Sequence, residues 1–177
     1  MKRAVVLGGG IAGVEAAISL RKKGLEVELV SDRDFLFVYP LAIWIPTGER
    51  TLEQTSIRLS DIARAHGFTM TLDAVTEISG AERSFVLEHG GRRRDFDYLV
   101  VALGAHKMPH KGKENVLSIC GAPQESVLVK ERLDALLAQG GGRVAVGFGG
   151  NPKDPSAVRG GPAFEFLYNV HHMLLKR

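Results

Sequence analysis

At 177 residues, with hydrophobic residues at 45% and charged residues at 24%, the chain is long enough for a sizeable core, and its composition excludes a disordered chain. A formal charge of +3, with basic residues dispersed except for "GRRRDFD" at 91–97, argues against nucleic acid as a partner. No apolar run approaches the roughly 20 residues of a bilayer span, and the single cysteine, Cys120, has no partner for an internal disulfide, which fits a reducing, cytoplasmic setting.

The near-continuous apolar run at 3–7, "RAVVL", predicts a strand buried on both faces of a parallel sheet. Gly8, Gly10 and Gly13 then satisfy Gly-x-Gly-x-x-Gly and open a predicted helix that stops at Gly24, with small residues at 12, 13, 16 and 17 for close packing on the sheet. Such a turn needs glycine for its bend and for close backbone approach to a pyrophosphate, and the helix start supplies unpaired N–H groups at a positive dipole end. A strand before and a helix after the motif are the context that supports dinucleotide binding. The second strand, "LEVELV", ends at Ser31 and Asp32. The Ser31 hydroxyl or the Asp32 carboxylate is expected to hold the adenosine ribose; a turn residue capping the next segment is the alternative.

Residues 35–50 are apolar and aromatic, punctuated by Pro40 and Pro46. "SIRLSDIARAHG" predicts an amphipathic helix with Ile57, Leu59, Ile62 and Ala63 inward, and "FTMTL" a short strand. "AVTEIS", "SFVLEHG" and "RRRDFD" alternate at period two around Gly90 and Gly91, which predicts an antiparallel meander, and "YLVVALGA" returns to the sheet.

In the C-terminal part, "QESVLVKERLDALLAQG" predicts a helix, and "RVAVG" a strand running into Gly147 and Gly149. Pro152 stands where a third glycine would complete a second nucleotide turn; it lacks an N–H and fixes its own backbone, and Asp154 adds negative charge. The loop therefore reads as unsuited to NAD, with a distorted nucleotide loop as the alternative. A last helix is expected from Pro162 with Phe164, Leu167, Val170 and Leu174 inward and His171 and His172 on opposite sides. His106, Lys107 and His110 read as a solvated basic loop, and no metal site is expected.

Four stretches, "VVLGGGIAGVEAA", "LVSDRDFLFVYP", "FDYLVVALGA" and "GGPAFEFLYNV", resemble the FAD-dependent pyridine nucleotide–disulfide oxidoreductase superfamily, in particular its sulfide:quinone oxidoreductase and flavocytochrome c sulfide dehydrogenase branch. The resemblance implies an α/β fold: a Rossmann-like FAD/NAD(P)-binding parallel sheet with an inserted antiparallel β-meander, plus a partial second Rossmann-like unit. The expected division is an FAD-binding domain over 1–108, lacking its final strand, and the start of a second nucleotide-binding-like domain over 109–177. A truncated chain, or a shortened relative that pairs with another chain, would account for the missing strands, and exposed sheet edges would offer a route to oligomers.

By resemblance, FAD lies along Gly8, Gly10, Ile11, Ala12 and Gly13, with Ser31 and Asp32 at its ribose, Arg33 among its binding residues and Ala74 and Val75 at its adenine. Ala102, Leu103 and Gly104 approach it by backbone. Pro40 and Leu41 border the flavin, and Gly161 and Pro162 bring a helix start toward the ring. The implied activity passes electrons from a small donor through FAD to a quinone or protein acceptor, with peripheral membrane contact in a full-length parent. One departure bears on the chemistry: Arg159 stands where the branch carries the cysteine that attacks sulfur, and a guanidinium is no sulfur nucleophile. Arg159 would hold an anionic substrate or the reduced flavin, or serve as a surface ion-pair residue; Cys120 matches another cysteine position of the branch but cannot shuttle a disulfide alone. A non-catalytic nucleotide-binding or interaction module with the same fold is the other functional class.

Overall fold

The computed structural model describes residues 1–105, 111–147 and 160–176. It divides into two compact units, Met1–Phe37 with Ser56–His106, and Val38–Thr55 with Lys107–Arg177.

The first unit is built on a four-stranded parallel sheet. Its strands are β1 (Arg3–Leu7), β2 (Glu26–Ser31), β5 (Thr69–Leu72) and β9 (Tyr98–Val101), in the spatial order β5-β2-β1-β9. Helix α1 (Ile11–Lys22) carries the chain from β1 to β2, and α2 (Leu59–His66) leads into β5. The apolar run of β1 and the Val27, Leu29 and Val30 positions of β2 serve both faces of the sheet. Ala4, Val6, Val27 and Leu29 pack with Val14 and Ala17 of α1 and with Leu59 and Ala63 of α2. Val5, Leu7 and Val30 pack on the other side with Phe85 and Leu87. Those two belong to the expected meander, β6 (Val75–Ser79), β7 (Ser84–Leu87) and β8 (Gly91–Arg93), paired antiparallel in that order. The result is the mixed α/β, Rossmann-like architecture, with the meander forming one covering layer.

A buried carboxylate ties these layers together. Glu28 of β2 receives Arg3 at 2.6 Å, Arg93 of β8 at 3.1 Å and the Thr71 hydroxyl of β5 at 2.6 Å. Burial alone would raise its pKa, but these hydrogen bonds outweigh that effect and hold it below the ordinary value. Asp95 completes the network by pairing with both arginines, and Arg93 draws its pKa down to about 2.

Four sequence expectations differ from the structure, three in the strands and one in the last helix. The amphipathic helix begins at Leu59, not at Ser56; residues Ser56–Arg58 instead form β4, antiparallel to β3 (Phe35–Phe37), and Ile57 is exposed. The pairing turns Ile57 outward, whereas the helical pattern placed it inward. The segment 141–147 has no regular structure, because a strand needs a ladder partner and none pairs with it among the described residues. The strand expected over 98–105 ends at Val101, where the Ala102 N–H bonds to the Leu7 carbonyl.

The second unit packs the turn Tyr39–Trp44 against α3 (Pro123–Ala138) and α4 (Gly161–Leu175). Its small core joins Leu133 of α3 to Val170 and Met173 of α4, with Phe166 against it. The inward face of α4 is therefore Phe166, Val170 and Met173. Phe164, Leu167 and Leu174, expected inward, are exposed, since the contact with α3 selects a stripe rotated from the one suggested by hydropathy.

Candidate functional site

The carboxyl end of β1 runs directly into the glycine turn, whose backbone is closed from three sides. Gly8 has φ +112°, and a Cβ there would overlap the Ala102 carbonyl oxygen; at Gly13 it would overlap the carbonyl oxygen of Gly8. Gly9 is equally closed, because a Cβ would lie 2.5 Å from both the Leu59 side chain and the Ser31 hydroxyl. The Gly8 N–H is spent on the Val30 carbonyl. Gly10 differs: its Cβ position has no atom within 4 Å. It is the N-cap of α1, with no side-chain cap and no acidic residue in the first turn. An α-helix start without caps leaves donors without intrahelical partners at a positive dipole end. Ile11 and Leu103 keep large apolar side chains exposed at the same place. An open, donor-rich turn flanked by uncovered apolar groups fits a diphosphate joined to aromatic rings.

The ends of β2 and β5 lie next to this turn. Ser31 is buried, its hydroxyl donating to the Arg33 carbonyl at 2.8 Å and accepting the Arg33 N–H at 3.3 Å. It thus caps the following turn, which was the alternative reading of this residue. Asp32 is exposed, and Arg33 lies over the Phe35 ring. The acid in this run with structural work is Asp34, which accepts the Ser60 N–H and hydroxyl and holds the start of α2. From β5, the Asp73 N–H donates to the Ser31 carbonyl at 2.9 Å.

Both polar backbone atoms of Ala74 are engaged, its N–H by the Asp73 carboxylate and its carbonyl by the Glu88 N–H. Any cofactor contact there would therefore use Val75 or side chains. Asp73 also accepts the N–H groups of His89 and Gly90 and the His89 ring nitrogen. Burial would raise its pKa, yet these donors lower it, while Asp73 raises that of His89. Asp73, Glu88 and His89 set ligand atoms within 4.8 Å of one another, but the Asp73 oxygens are already taken by N–H donors.

Gly8, Gly10, Ile11, Ala12, Gly13, Ser31, Asp32, Arg33, Ala74, Val75, Ala102, Leu103 and Gly104 all belong to the first unit. They fall at or just beyond the carboxyl ends of β1, β2, β5 and β9, where open α/β sheets bind ligands. The remaining candidates are in the second unit. Leu41 lines a cleft of about 520 Å³ with Trp44, Glu49 and Arg50. Pro40, Gly161 and Pro162 are exposed, the last two opening α4, which has no side-chain cap. Cys120 is exposed, its N–H on the Ser118 hydroxyl. Arg159, Pro152, Asp154, His106, Lys107 and His110 lie outside the described residues. Gly9 and Asp73 were missed from sequence. The run of three glycines at 8–10 was a visible sign for Gly9; nothing in "TLDAV" marked Asp73.

A family model described as pyridine nucleotide-disulphide oxidoreductase matches residues 2–152. The chain belongs to that family. FAD is the cofactor indicated by this membership. Among solved structures, the whole chain overlays 40% of the sulfide:quinone oxidoreductase from the hyperthermophilic bacterium Aquifex aeolicus, at 26% identity and a TM-score of 0.81. In a covalent putidaredoxin reductase–putidaredoxin complex, 75% of this chain matches 34% of that one, at 26% identity and TM-score 0.62. NDH2 from Plasmodium falciparum in complex with NADH shares the fold, 78% of this chain matching 30% of that one at 16% identity and TM-score 0.67. No curated protein matches by sequence. The family member thus spans well under half the length of these structural relatives. No described helix is long and apolar enough to cross a membrane.

Proposed function

We propose that this chain is the FAD-binding portion of a flavoprotein oxidoreductase similar to sulfide:quinone oxidoreductase, passing electrons from a small donor through FAD to a quinone or protein acceptor. The observation that carries the reading is the glycine turn, closed at Gly8, Gly9 and Gly13 by neighbouring atoms and open at Gly10 above an uncapped helix start. In this reading the N–H groups at the start of α1 hold the diphosphate. Ala102 packs against the turn from behind and fixes its bend, and Ile11 and Leu103 exclude water along the cofactor. Asp32 and Arg33 face the adenosine ribose, with Ser31 holding the turn that carries them. FAD, when bound, supplies the redox chemistry. With Arg159 in place of the branch cysteine, no thiol step on sulfur is assigned to this chain.

Titration with FAD, followed by flavin absorbance and fluorescence, tests the reading. The wild-type chain takes up FAD, and Gly10→Val, whose Cβ has open space around it and whose cost as a change of N-cap is about 1 kcal/mol, weakens uptake by about a hundredfold or more. A Gly10→Val variant that titrates like wild type would remove the assignment. A wild-type chain that ignores FAD would favour the non-catalytic module.

A further inference from the structure

Asp73, buried in the connection from β5 to β6, draws together backbone from the end of β2, from its own connection and from the turn after β7. Its N–H is bonded to the Ser31 carbonyl at 2.9 Å, joining the ends of β5 and β2. Its carboxylate accepts the Ala74 N–H at 2.8 Å, the Gly90 N–H at 2.8 Å, the His89 N–H at 3.2 Å and the His89 Nδ1 at 3.1 Å. The Ala74 carbonyl receives the Glu88 N–H at 2.9 Å, so the 88–90 turn is held from both sides. A buried carboxylate carries a desolvation cost, and several convergent donors are what offset it. The atoms so fixed stand beside Ser31, at the strand end where a dinucleotide's adenosine ribose is held in doubly wound sheets.

We propose that Asp73 is a positioning residue for the adenosine half of the cofactor. By fixing Ser31 through its backbone and the 74–75 and 88–90 segments through its carboxylate, it sets the wall against which the adenosine packs. It does not touch the flavin. The inference rests on the FAD-binding reading above and adds to it a second fixed point, remote from the glycine turn.

The test measures FAD, ADP and FMN binding to the wild-type chain, Asp73→Ala and Asp73→Asn. Asp73→Asn is isosteric and keeps one acceptor oxygen, while its amide turns donors toward the His89 and Gly90 N–H groups; it carries the test if the alanine variant does not fold. With melting temperature matched to wild type, affinity for FAD and ADP is expected to fall by about tenfold, whereas FMN, which has no adenosine, changes by less than about twofold. Unchanged FAD affinity in Asp73→Asn, or equal losses for FAD and FMN, would overturn the proposal and leave the glycine-turn assignment standing. Failure of the wild-type chain to bind FAD would overturn both.

Discussion

In the first unit Ala4, Val5, Val6 and Leu7 are all fully buried along one strand, alternately against helices and against the meander. In the second, α4 buries Val170 and Met173 but leaves Phe164, Tyr168 and Leu175 between half and three-quarters exposed. The glycine turn therefore grows out of a strand held on both faces, while the helix start at Gly161 and Pro162 rests on a core of a few side chains. A diphosphate site needs donors fixed before the ligand arrives, and the two-sided core supplies that rigidity.

Four substitutions probe that contrast. Gly13→Val forces a side chain onto the Gly8 carbonyl and should cost about 4 kcal/mol or more of stability in thermal or urea melts, because backbone meets backbone on both sides of a tight turn. Glu28→Ala leaves Arg3 and Arg93 half-buried with only Asp95 as counter-charge and should cost about 3 kcal/mol. The sign of its pH dependence is fixed: the Glu28 pKa is lowered by folding, so its contribution is full above the ordinary 4.5 and fades as pH falls through the lowered value. Melting of Glu28→Ala should accordingly lose less on acidification than melting of wild type.

Leu133→Ala should destabilise the second unit by about 2 kcal/mol, at the low end for a core leucine since few neighbours surround it. FAD affinity should fall far less in this variant than in Gly10→Val, because the diphosphate is held by the first unit, and a comparable loss would break the distinction between the units. Tyr168→Ser, on the exposed face of α4, should change stability by less than about 0.5 kcal/mol. A drop of several times that size would show that the face is covered in solution.

Much of the first unit was legible from the sequence because its signals were local and redundant. An apolar run, a glycine motif and a helix stop at Gly24 agreed over residues 3–24, and the period-two alternation of 74–97 gave the meander. Long-range pairing was not legible. Ile57 has the spacing of a helix face, yet β3 recruits residues 56–58 into a ladder. The apolar run at 143–147 reads as a strand and has no strand beside it among the described residues.

At the site, the motif named Gly8, Gly10 and Gly13 but could not separate the glycines that must fit against protein from the one that faces open space. That separation depends on where Ala102, Ser31 and Leu59 arrive from elsewhere in the chain. Asp73 was invisible for the same reason, since its partners at 88–90 lie across a hairpin and its backbone partner lies on β2. At the end of β2 the Ser31 hydroxyl or the Asp32 carboxylate was expected to hold the ribose; the carboxylates with defined partners beside the strand ends are Asp34 and Asp73.

In the proposed function the N–H groups at the start of α1 receive the diphosphate of FAD. Amide chemical shifts of uniformly ¹⁵N-labelled protein, followed through a titration with FAD and with ADP, test it directly. Saturable shifts are expected at Gly10, Ile11, Ala12 and Gly13 with both ligands. Saturable FAD binding that leaves those four amides unmoved would contradict it.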